Sequence, residues 1–312
     1  MKLDVKHILK TYGIFLAFLL ICIILAILSP VFLRWNNILN VIRQSSIYGV
    51  MAVGMTFVIL SGGIDLSVGS VLALSGIIAA GAATAGVGIF GIVALGLLVG
   101  VLCGLFNGLM ITLGKITPFV ITLGMMSIAR GLTLIYSGGR PISGFEGAFR
   151  FIGGGFILGI PFPIVILAVT VLIGWLVLTQ TRLGRYTYAI GGNEETVKLS
   201  GINSNFYKTM VYVISGLTSA MSALILTSRL NSGGPNVGQA YELDVIAAVV
   251  IGGTSLSGGR GSVWGTLVGA LMISVINNGM NLLGINPFFQ LVVKGVIIIG
   301  AVFLDRLRDQ AN

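Results

Sequence analysis

The stretch Ser61-Gly-Gly-Ile-Asp-Leu-Ser-Val-Gly-Ser70 organises the rest of this chain. It joins two apolar runs, and Asp65 at its centre is the sole charged residue between positions 44 and 81. A buried carboxylate without a partner is energetically expensive. Asp65 is therefore expected to lie in a water-filled mouth, to cap a helix or to have a partner. The glycines of the stretch allow a tight turn, and its serines can bond the free groups of a helix end.

Composition places the chain among polytopic membrane proteins. Its mean hydropathy is +1.05 and only 9% of its residues are charged, against about 25% in soluble domains. We expect residues 1–312 to form a single integral membrane domain, with no room for a soluble catalytic domain. The net charge of +9 is scattered along the chain, so it indicates membrane orientation rather than nucleic-acid binding.

Apolar runs long enough to cross about 30 Å of hydrocarbon predict an all-α protein with about ten transmembrane helices. The predicted spans are 13–33, 43–61, 66–85, 88–112, 118–136, 156–178, 209–227, 241–256, 262–283 and 288–304. With both termini cytoplasmic, the inside segments hold eleven Lys and Arg residues and the outside segments hold four. The inside set is Lys2, Lys6, Lys10, Lys115, Arg182, Arg185, Lys198, Lys208, Arg260, Arg306 and Arg308, and the outside set is Arg34, Arg140, Arg150 and Arg229. The positive-inside rule therefore favours an N-in/C-in orientation.

Glycines recur at helical spacing in two of these spans. One ridge is Gly96, Gly100, Gly104 and Gly108, and the other is Gly261, Gly265 and Gly269. Small residues on one face let two helix backbones approach closely in lipid. Both ridges predict tight helix packing.

An internal echo indicates a duplicated-half architecture. Gly62-Gly-x-x-Leu-Ser67 recurs as Gly252-Gly-x-x-Leu-Ser257, and each copy is followed by Gly-Ser-Val. Substrate paths of transporters often run between such repeats. Asp65 has no acidic counterpart, because Ser255 takes its place in the second copy. We therefore interpret Asp65 as a specialised addition, a wet helix cap or a polar contact beside a gate.

The longest polar stretch, 180–208, is predicted to be a cytoplasmic loop with a short helix. Asn193 can cap that helix, Glu194 and Glu195 suit its positive end, and Gly201 suits its C′ position. A helix of about two turns needs a surface to lie on. The loop is either a solvated linker or a docking element for a cytoplasmic partner.

No catalytic constellation is found in the sequence. The single histidine, His7, excludes a histidine relay or a His-based metal site within one chain. No phosphate-binding loop of the Walker A type occurs, since the run around Gly114-Lys115 has the wrong spacing and lacks the Ser or Thr. We expect a transport subunit and not an enzyme, with no cofactor of its own; any ATP must be bound by a partner subunit.

Polar residues inside the spans are the candidates for a translocation path. These candidates are Asp65, Ser67, Asn107, Ser274, Asn277, Asn278 and Asn281. The last four lie on one face of the ninth span, where they could exchange hydrogen bonds with a neutral polyol. Hydrogen bonds between helices are the alternative. Asp244, equally isolated, could cap the eighth span and stay wet.

Three motifs resemble one known family in order and spacing. GGIDLSVGS at 62–70, GGNEETVKLSGI at 191–202 and IGGTSLSGGRGSVWGTLVGA at 251–270 are similar to the permease subunits of bacterial ABC importers for ribose and related monosaccharides. The similarity runs over nearly the whole chain. It implies a multi-pass protein of the bacterial cytoplasmic (inner) membrane that translocates a monosaccharide.

The resemblance also implies partners. Two permease chains, expected as a homodimer, would form the pore, two ATP-binding cassette domains would dock below it, and an extracytoplasmic sugar-binding protein would deliver the substrate. Gly192, Asn193, Glu194, Glu195 and Gly201 would couple the chain to the ATPase. Thr196 and Val197 depart from the family pattern, which has alanines there.

Two other classes of function stay open at this point. An ion-coupled secondary transporter for a small polar solute would use Asp65 or Asp244 to carry a proton or Na⁺. A passive channel is compatible with the glycine-packed helices, although the docking loop would then have no purpose.

Overall fold

The computed structural model describes residues 5–310, and within them the chain is mostly helical. Lys2 lies outside the described residues, as do the side chains of Lys6, Lys10, Arg306 and Arg308. The helices are α1 (Val5–Leu28), α2 (Trp35–Leu60), α3 (Val68–Thr84), α4 (Ile89–Thr112), α5 (Pro118–Ser137), α6 (Phe149–Gly154), α7 (Phe162–Gln180), α8 (Arg182–Leu199), α9 (Ser204–Leu230), α10 (Tyr241–Ile251), α11 (Val263–Leu282) and α12 (Pro287–Gln310). Four two-residue strands, β1 (Ile142–Ser143), β2 (Phe156–Ile157), β3 (Ile160–Pro161) and β4 (Ser232–Gly233), form the antiparallel pairs β1–β4 and β2–β3.

The helix lengths confirm a polytopic helical membrane protein. Within residues 5–310, six helices are long and apolar enough to cross a membrane, and the apolar parts of α1, α3 and α12 form shorter candidates. Large apolar side chains are exposed along α4 and α7, where Leu102, Leu172 and Ile173 are about half exposed. Such faces suit contact with lipid, whose tails are as apolar as the side chains.

Helix α9 lies at the centre of the bundle and packs against α2, α3, α4 and α6. The glycines of α4 make its closest approach possible. A Cβ on Gly100 would overlap the carbonyl oxygen of Gly216, and a Cβ on Gly104 would overlap that of Tyr212. At Gly108 the added Cβ would lie 2.7 Å from the Cα of Thr209. The predicted glycine ridge of the fourth span thus faces α9 over its full length.

The bundle has two distinguishable ends. At the β end, β1 pairs with β4, and Gly153 of α6 donates a 2.7 Å hydrogen bond to the Ser228 hydroxyl near the end of α9. At the α8 end, the end of α2 meets α8 and the turn between α10 and α11, where Gly259 N–H donates to the Leu60 carbonyl at 2.9 Å. These two names are used below for the two ends.

Two span predictions and one predicted glycine ridge need correction. The eighth span is helical only from Tyr241 to Ile251, which at 1.5 Å per residue is about 16 Å and too short to cross a bilayer. The sixth begins at Phe162, because a β-hairpin occupies 156–161. Gly261 precedes α11 with φ 154°, so the second glycine ridge contains only Gly265 and Gly269 within the helix.

Candidate functional site

The segment 231–240 runs from the β end into the interior of the bundle. Gly233 packs against Gly76 and Ala80 of α3, whereas Gly238 packs against Gly69, nearer the start of the same helix. Eleven residues of α3 separate Ala80 from Gly69, a descent of about 16 Å along the helix axis. The small residues of α3 make room for this irregular backbone.

Helix α10 therefore begins at mid-depth. The ring of Tyr241, its first residue, lies 4.9 Å from that of Tyr48, and Tyr48 stands at the middle of α2. From there α10 runs to the α8 end, where Gly252 contacts Gly265 of α11. Segment 231–240 and α10 together make a re-entrant unit, half irregular and half helical, of the kind that carries substrate or ion sites in transporters.

The N-termini of α3 and α10 meet near the middle of the bundle. The position that a Cβ on Gly69 would take lies 2.7 Å from Glu242 Oε2, and it would overlap the carbonyl oxygen of Gly238. Each helix N-terminus carries a partial positive charge. Acidic residues accompany both ends: Asp65 precedes α3, and Glu242 and Asp244 occupy the first turn of α10. The acids offset two positive helix ends that would otherwise repel each other.

Asp65 is held by a network of hydroxyl groups. Its Oδ1 accepts hydrogen bonds from Ser67 N–H at 2.9 Å and from the Ser67 hydroxyl at 2.6 Å, and its Oδ2 accepts from the Ser215 hydroxyl at 2.7 Å. Ser67 in turn accepts from Asn107 Nδ2 at 3.0 Å. Asp65 is 2% exposed, so the expectation of a wet cap is wrong. Its partners are Ser67, two residues further along the chain, and Ser215 of α9, and Asn107 of α4 joins the network through Ser67. The carboxylate lies inside the bundle because the chain turns back into it after Ser61.

The turn before Asp65 depends on Gly63. A Cβ there would overlap the hydroxyl group of Tyr212, and Tyr212 is fully buried. Gly62, with φ 77°, supplies the left-handed conformation that ends α2. These two glycines bring the carboxylate back to the level of Ser215.

Asp244 also differs from its predicted environment. Its Oδ2 lies 2.7 Å from Lys294 Nζ, and the two side chains are 2% and 18% exposed. Tyr48 and Asn277 lie beside the same carboxylate. The expectation that Asp244 stays wet is therefore wrong, since it joins α10 to α12 through a buried ion pair.

Arg130 fastens the re-entrant unit to α5. Its Nη1 donates to the carbonyl oxygens of Pro235 and Val237, the second at 2.9 Å. These carbonyls belong to irregular backbone, so no helix or strand partner satisfies them, and burying such groups unpaired is costly. The charge of Arg130 also faces Glu242.

The amide face of α11 is engaged with other helices. Asn278 and Asn37 of α2 exchange two hydrogen bonds of 2.9 and 3.0 Å, and Asn281 Oδ1 accepts from Gln290 of α12 at 3.0 Å. Ser274 donates to the Ala270 carbonyl within its own helix at 2.8 Å. The contacts of Asn278 and Asn281 are those of the alternative stated above, hydrogen bonds between helices, whereas the contact of Ser274 stays within α11.

The predicted capped helix is present at the end of α8. Asn193 leaves the helical conformation, with φ −160° and ψ 100°, and its Oδ1 accepts from Thr196 N–H at 3.0 Å. Gly201 follows the helix with φ 76°, as a C′ glycine should. The predicted solvated loop is shorter than expected, because α8 already begins at Arg182 and α9 begins at Ser204.

The surface of this short helix divides into two sides. Glu194 pairs with Lys198 at 2.9 Å and with Lys208 of α9 at 2.7 Å, whereas Glu195 and Leu199 are exposed. Partial burial acts to raise the pKa of Glu194, but the hydrogen bonds and charges of the two lysines outweigh it and hold the pKa below its ordinary value. Glu194 therefore fastens the helix to the bundle, and Glu195 and Leu199 are left free to meet a partner.

Three glycine-containing turns meet where α8 bends. A Cβ on Gly191 would overlap the Leu60 carbonyl oxygen and lie 2.5 Å from Gly259 N. A Cβ on Gly258 would lie 2.9 Å from the Gly191 carbonyl oxygen and 3.0 Å from Gly62 N. This contact, called the glycine junction below, joins the bend before Asn193 to two Gly-Gly turns: Gly62-Gly63 in the first copy of the repeat, and Gly258-Gly259, which directly follows the second copy.

A single chain offers no evident sugar site among the cavities described. One cavity of about 200 Å³ between α2, α7 and α9 is lined by apolar side chains with the hydroxyls of Thr170 and Thr218. Both hydroxyls already donate to backbone carbonyls, at 2.8 and 3.0 Å. Neither hydroxyl therefore has a proton left to donate to a polyol, and the other side chains of the lining are apolar.

Sequence reasoning missed several of these features. Arg130 and Lys294 fell within predicted spans and were given no role, although a charge inside a span is itself a functional signal. The run Ser232-Gly-Gly-Pro-Asn236 marks irregular backbone, but nothing in it shows that the backbone lies inside the membrane.

Comparison with known proteins yields one family and close relatives. The family described as "Branched-chain amino acid transport system / permease component" matches residues 37–302. The ribose import permease protein of Bacillus subtilis (strain 168) is 51% identical over 310 residues, which are 99% of this chain and 96% of that protein. The D-allose transport system permease protein of Escherichia coli (strain K12) is 41% identical over 298 residues, 95% and 91% of the two chains. The galactose/methyl galactoside import permease protein of the same strain is 36% identical over 321 residues, 96% and 95% of the two chains. No solved structure matches the chain.

Proposed function

Because the chain belongs to this family of transport-system permease components, we propose that it translocates ribose, or a monosaccharide closely related to it, as the membrane-spanning subunit of an ATP-driven importer. The chain is a transport subunit, not an enzyme, and it resides in the bacterial cytoplasmic membrane. The observation that carries the choice of sugar is the full-length identity to the ribose permease, which exceeds that to the allose and galactose permeases.

The proposed topology keeps both termini cytoplasmic but changes two crossings. Eight helices (α1, α2, α4, α5, α7, α9, α11 and α12) would each cross the bilayer. The turn at 61–67 together with α3 would make one further crossing, and the re-entrant unit with the following turn would make the tenth. The α8 end is then cytoplasmic, as the positive-inside count favours, and the β end faces the outside. Ten crossings return the C-terminus to the side of the N-terminus.

The translocation path is proposed to lie between two copies of the chain. Within one copy, Asp65 and Asp244 are fully engaged with protein partners. An ion-coupled transporter needs an acid that exchanges its ion with water during each cycle. The engaged acids therefore favour an importer driven from outside the chain over the ion-coupled alternative.

Energy is proposed to enter through the short helix after Asn193. Glu195 and Leu199 would meet the ATPase chain, and Gly192, Asn193 and Gly201 would set the orientation of the helix. The glycine junction would pass its movement to both Gly-Gly turns, since backbone contacts leave no flexible side chain in between. Glu194 would keep the helix attached to α9 through Lys208.

This proposal is tested in proteoliposomes that contain the permease, its cognate ATPase and the sugar-binding protein. Glu195→Lys should lower sugar-stimulated ATP hydrolysis and ribose uptake together, because it reverses a charge on the docking side. Arg150→Glu, an equal change of charge at the β end, serves as the control for docking. Normal coupling in Glu195→Lys would show that this surface does not meet the ATPase.

A further inference from the structure

Part of the re-entrant unit is both irregular and exposed at membrane depth. Between Gly233 and Tyr241 the backbone forms no long helix or strand, and the side chains of Asn236 and Gln239 are exposed. Hydrocarbon cannot satisfy free backbone N–H and C=O groups, so irregular backbone inside a bilayer is found only where protein covers it or where it lines water. In one copy of the chain these two amides are not covered by protein.

Charged groups lie on the same face. Arg130 and Glu242 are both partly exposed, and each contacts or faces the segment that carries the two amides. Ionisable side chains at this depth almost always face the interior of a helix bundle or a water-filled space. The exposed polar surface of Arg130, Asn236, Gln239 and Glu242 therefore cannot be a lipid-facing surface.

We infer that this surface lines the sugar path, and that Asn236 and Gln239 hydrogen-bond the hydroxyl groups of a neutral monosaccharide as it passes mid-membrane. The inference rests on the proposed function and adds to it the residues that contact the substrate. A second copy of the chain would enclose the path from the opposite side. Arg130 is a positioning residue, because its guanidinium holds the carbonyls of Pro235 and Val237 on either side of Asn236.

The chemistry suits passage rather than tight binding. An amide offers donors and acceptors that a sugar hydroxyl can exchange with water, and a net hydrogen bond changes an equilibrium by about 2- to 10-fold. Glu242 and the N-terminus of α10 can orient hydroxyl dipoles without requiring a charged substrate. Permeation needs such weak, exchangeable contacts, since a substrate held too tightly cannot leave.

The first test measures water access with a membrane-impermeant thiol reagent on the assembled complex. Asn236→Cys and Gln239→Cys are made in a background with Cys22→Ala and Cys103→Ala, and labelled with a charged methanethiosulfonate. Leu172→Cys, at the middle of α7 and 49% exposed, is the lipid-facing control at matched depth. We expect labelling at least ten-fold faster than in this control, and slower labelling when ribose and the binding protein are added. Labelling no faster than in the control would overturn the inference.

The second test measures transport. Asn236→Ala and Gln239→Ala should each lower ATP-driven ribose uptake 2- to 10-fold at unchanged amounts of folded complex, whereas Asn36→Ala, which removes an exposed amide in the first turn of α2, should leave it unchanged. Rapid labelling with unaltered uptake would overturn the sugar contact. If the wild-type complex imports no monosaccharide, the proposed function fails, while the labelling result still decides whether this surface lines water.

Discussion

Replacing Gly191 with alanine tests how the bend of α8 communicates with the membrane helices. The added methyl would overlap the Leu60 carbonyl oxygen and lie 2.5 Å from Gly259 N. Overpacking of this kind costs about 1–3 kcal/mol, and separating the turns also breaks the Gly259–Leu60 hydrogen bond of 2.9 Å, worth about 1 kcal/mol. The contact at the glycine junction should therefore weaken by about 2–4 kcal/mol. The ratio of molecules in which the three turns are in contact to those in which they are apart should then fall by about 30- to 700-fold.

The assay compares sugar-stimulated ATP hydrolysis with ribose uptake in the reconstituted complex. We expect Gly191→Ala to assemble, to retain basal ATP hydrolysis and to lose at least ten-fold in uptake per ATP hydrolysed, because docking no longer moves the two Gly-Gly turns. Gly88→Ala adds the same methyl at the β end, where nothing lies within 4 Å, and should behave as wild type. If Gly191→Ala couples as well as Gly88→Ala, the junction does not transmit the movement.

Three further predictions concern charged groups. Asp65→Asn keeps an acceptor for Ser67 and should fold while impairing uptake. Asp65→Ala leaves buried hydroxyls unpaired and should lower the unfolding free energy by about 2–4 kcal/mol. Thermal unfolding in detergent and sugar uptake distinguish the two variants, and identical behaviour of both would refute the hydrogen-bond network around Asp65. Lys294→Met leaves Asp244 buried without its cation and should destabilise the complex by about 3–5 kcal/mol. The double variant with Asp244→Asn should recover much of this loss when thermal unfolding is measured in the same way. No such recovery would be expected if Asp244 lay at the surface, where an unpaired charge costs little. The ion pairs of Glu194 should hold the short helix on α9 with constant strength above the pKa that Glu194 has in the unfolded chain. This attachment should weaken as the pH falls through the lowered pKa of Glu194 in the folded chain, and hydrogen exchange of the short helix can follow the change. Glu194→Gln should remove this acid dependence, and an acid dependence that persists in the variant would contradict the ion pairs.

Local features were predictable where a short pattern determines the outcome. The cap at Asn193, the C′ glycine at Gly201 and the glycine face of α4 each follow from residue type and spacing, and the contacts in the structure match them. Each of the ten predicted runs contains a helix for the same reason, since long apolar runs must be helical in lipid. Six helices within the described residues are long and apolar enough to cross a membrane, and the count of ten stays a prediction.

The environment of the acids could not be predicted in this way. Ser215, which donates to Asp65, and Lys294, which pairs with Asp244, lie 150 and 50 residues away from these acids. Sequence spacing carries no information about such contacts. Tyr241–Leu256 reads as an apolar span, but the backbone leaves the helix at Gly252, where contact with Gly265 requires a residue without a side chain. Segment 231–240 can enter the bundle only because Gly69, Gly76 and Ala80, which face it from α3, are small. Small residues on a helix predict close packing, but they do not show which segment packs there.

The energy source of sugar transport distinguishes the proposed function most directly from the ion-coupled alternative. The decisive measurement is uptake of labelled ribose into liposomes that contain the purified chain, either alone or with its ATPase and binding protein, under proton or sodium gradients and with or without ATP. We expect ribose to accumulate only when all partners and ATP are present, and we expect no response to the proton or the sodium gradient. Accumulation by the chain alone, driven by a proton or sodium gradient, would contradict it.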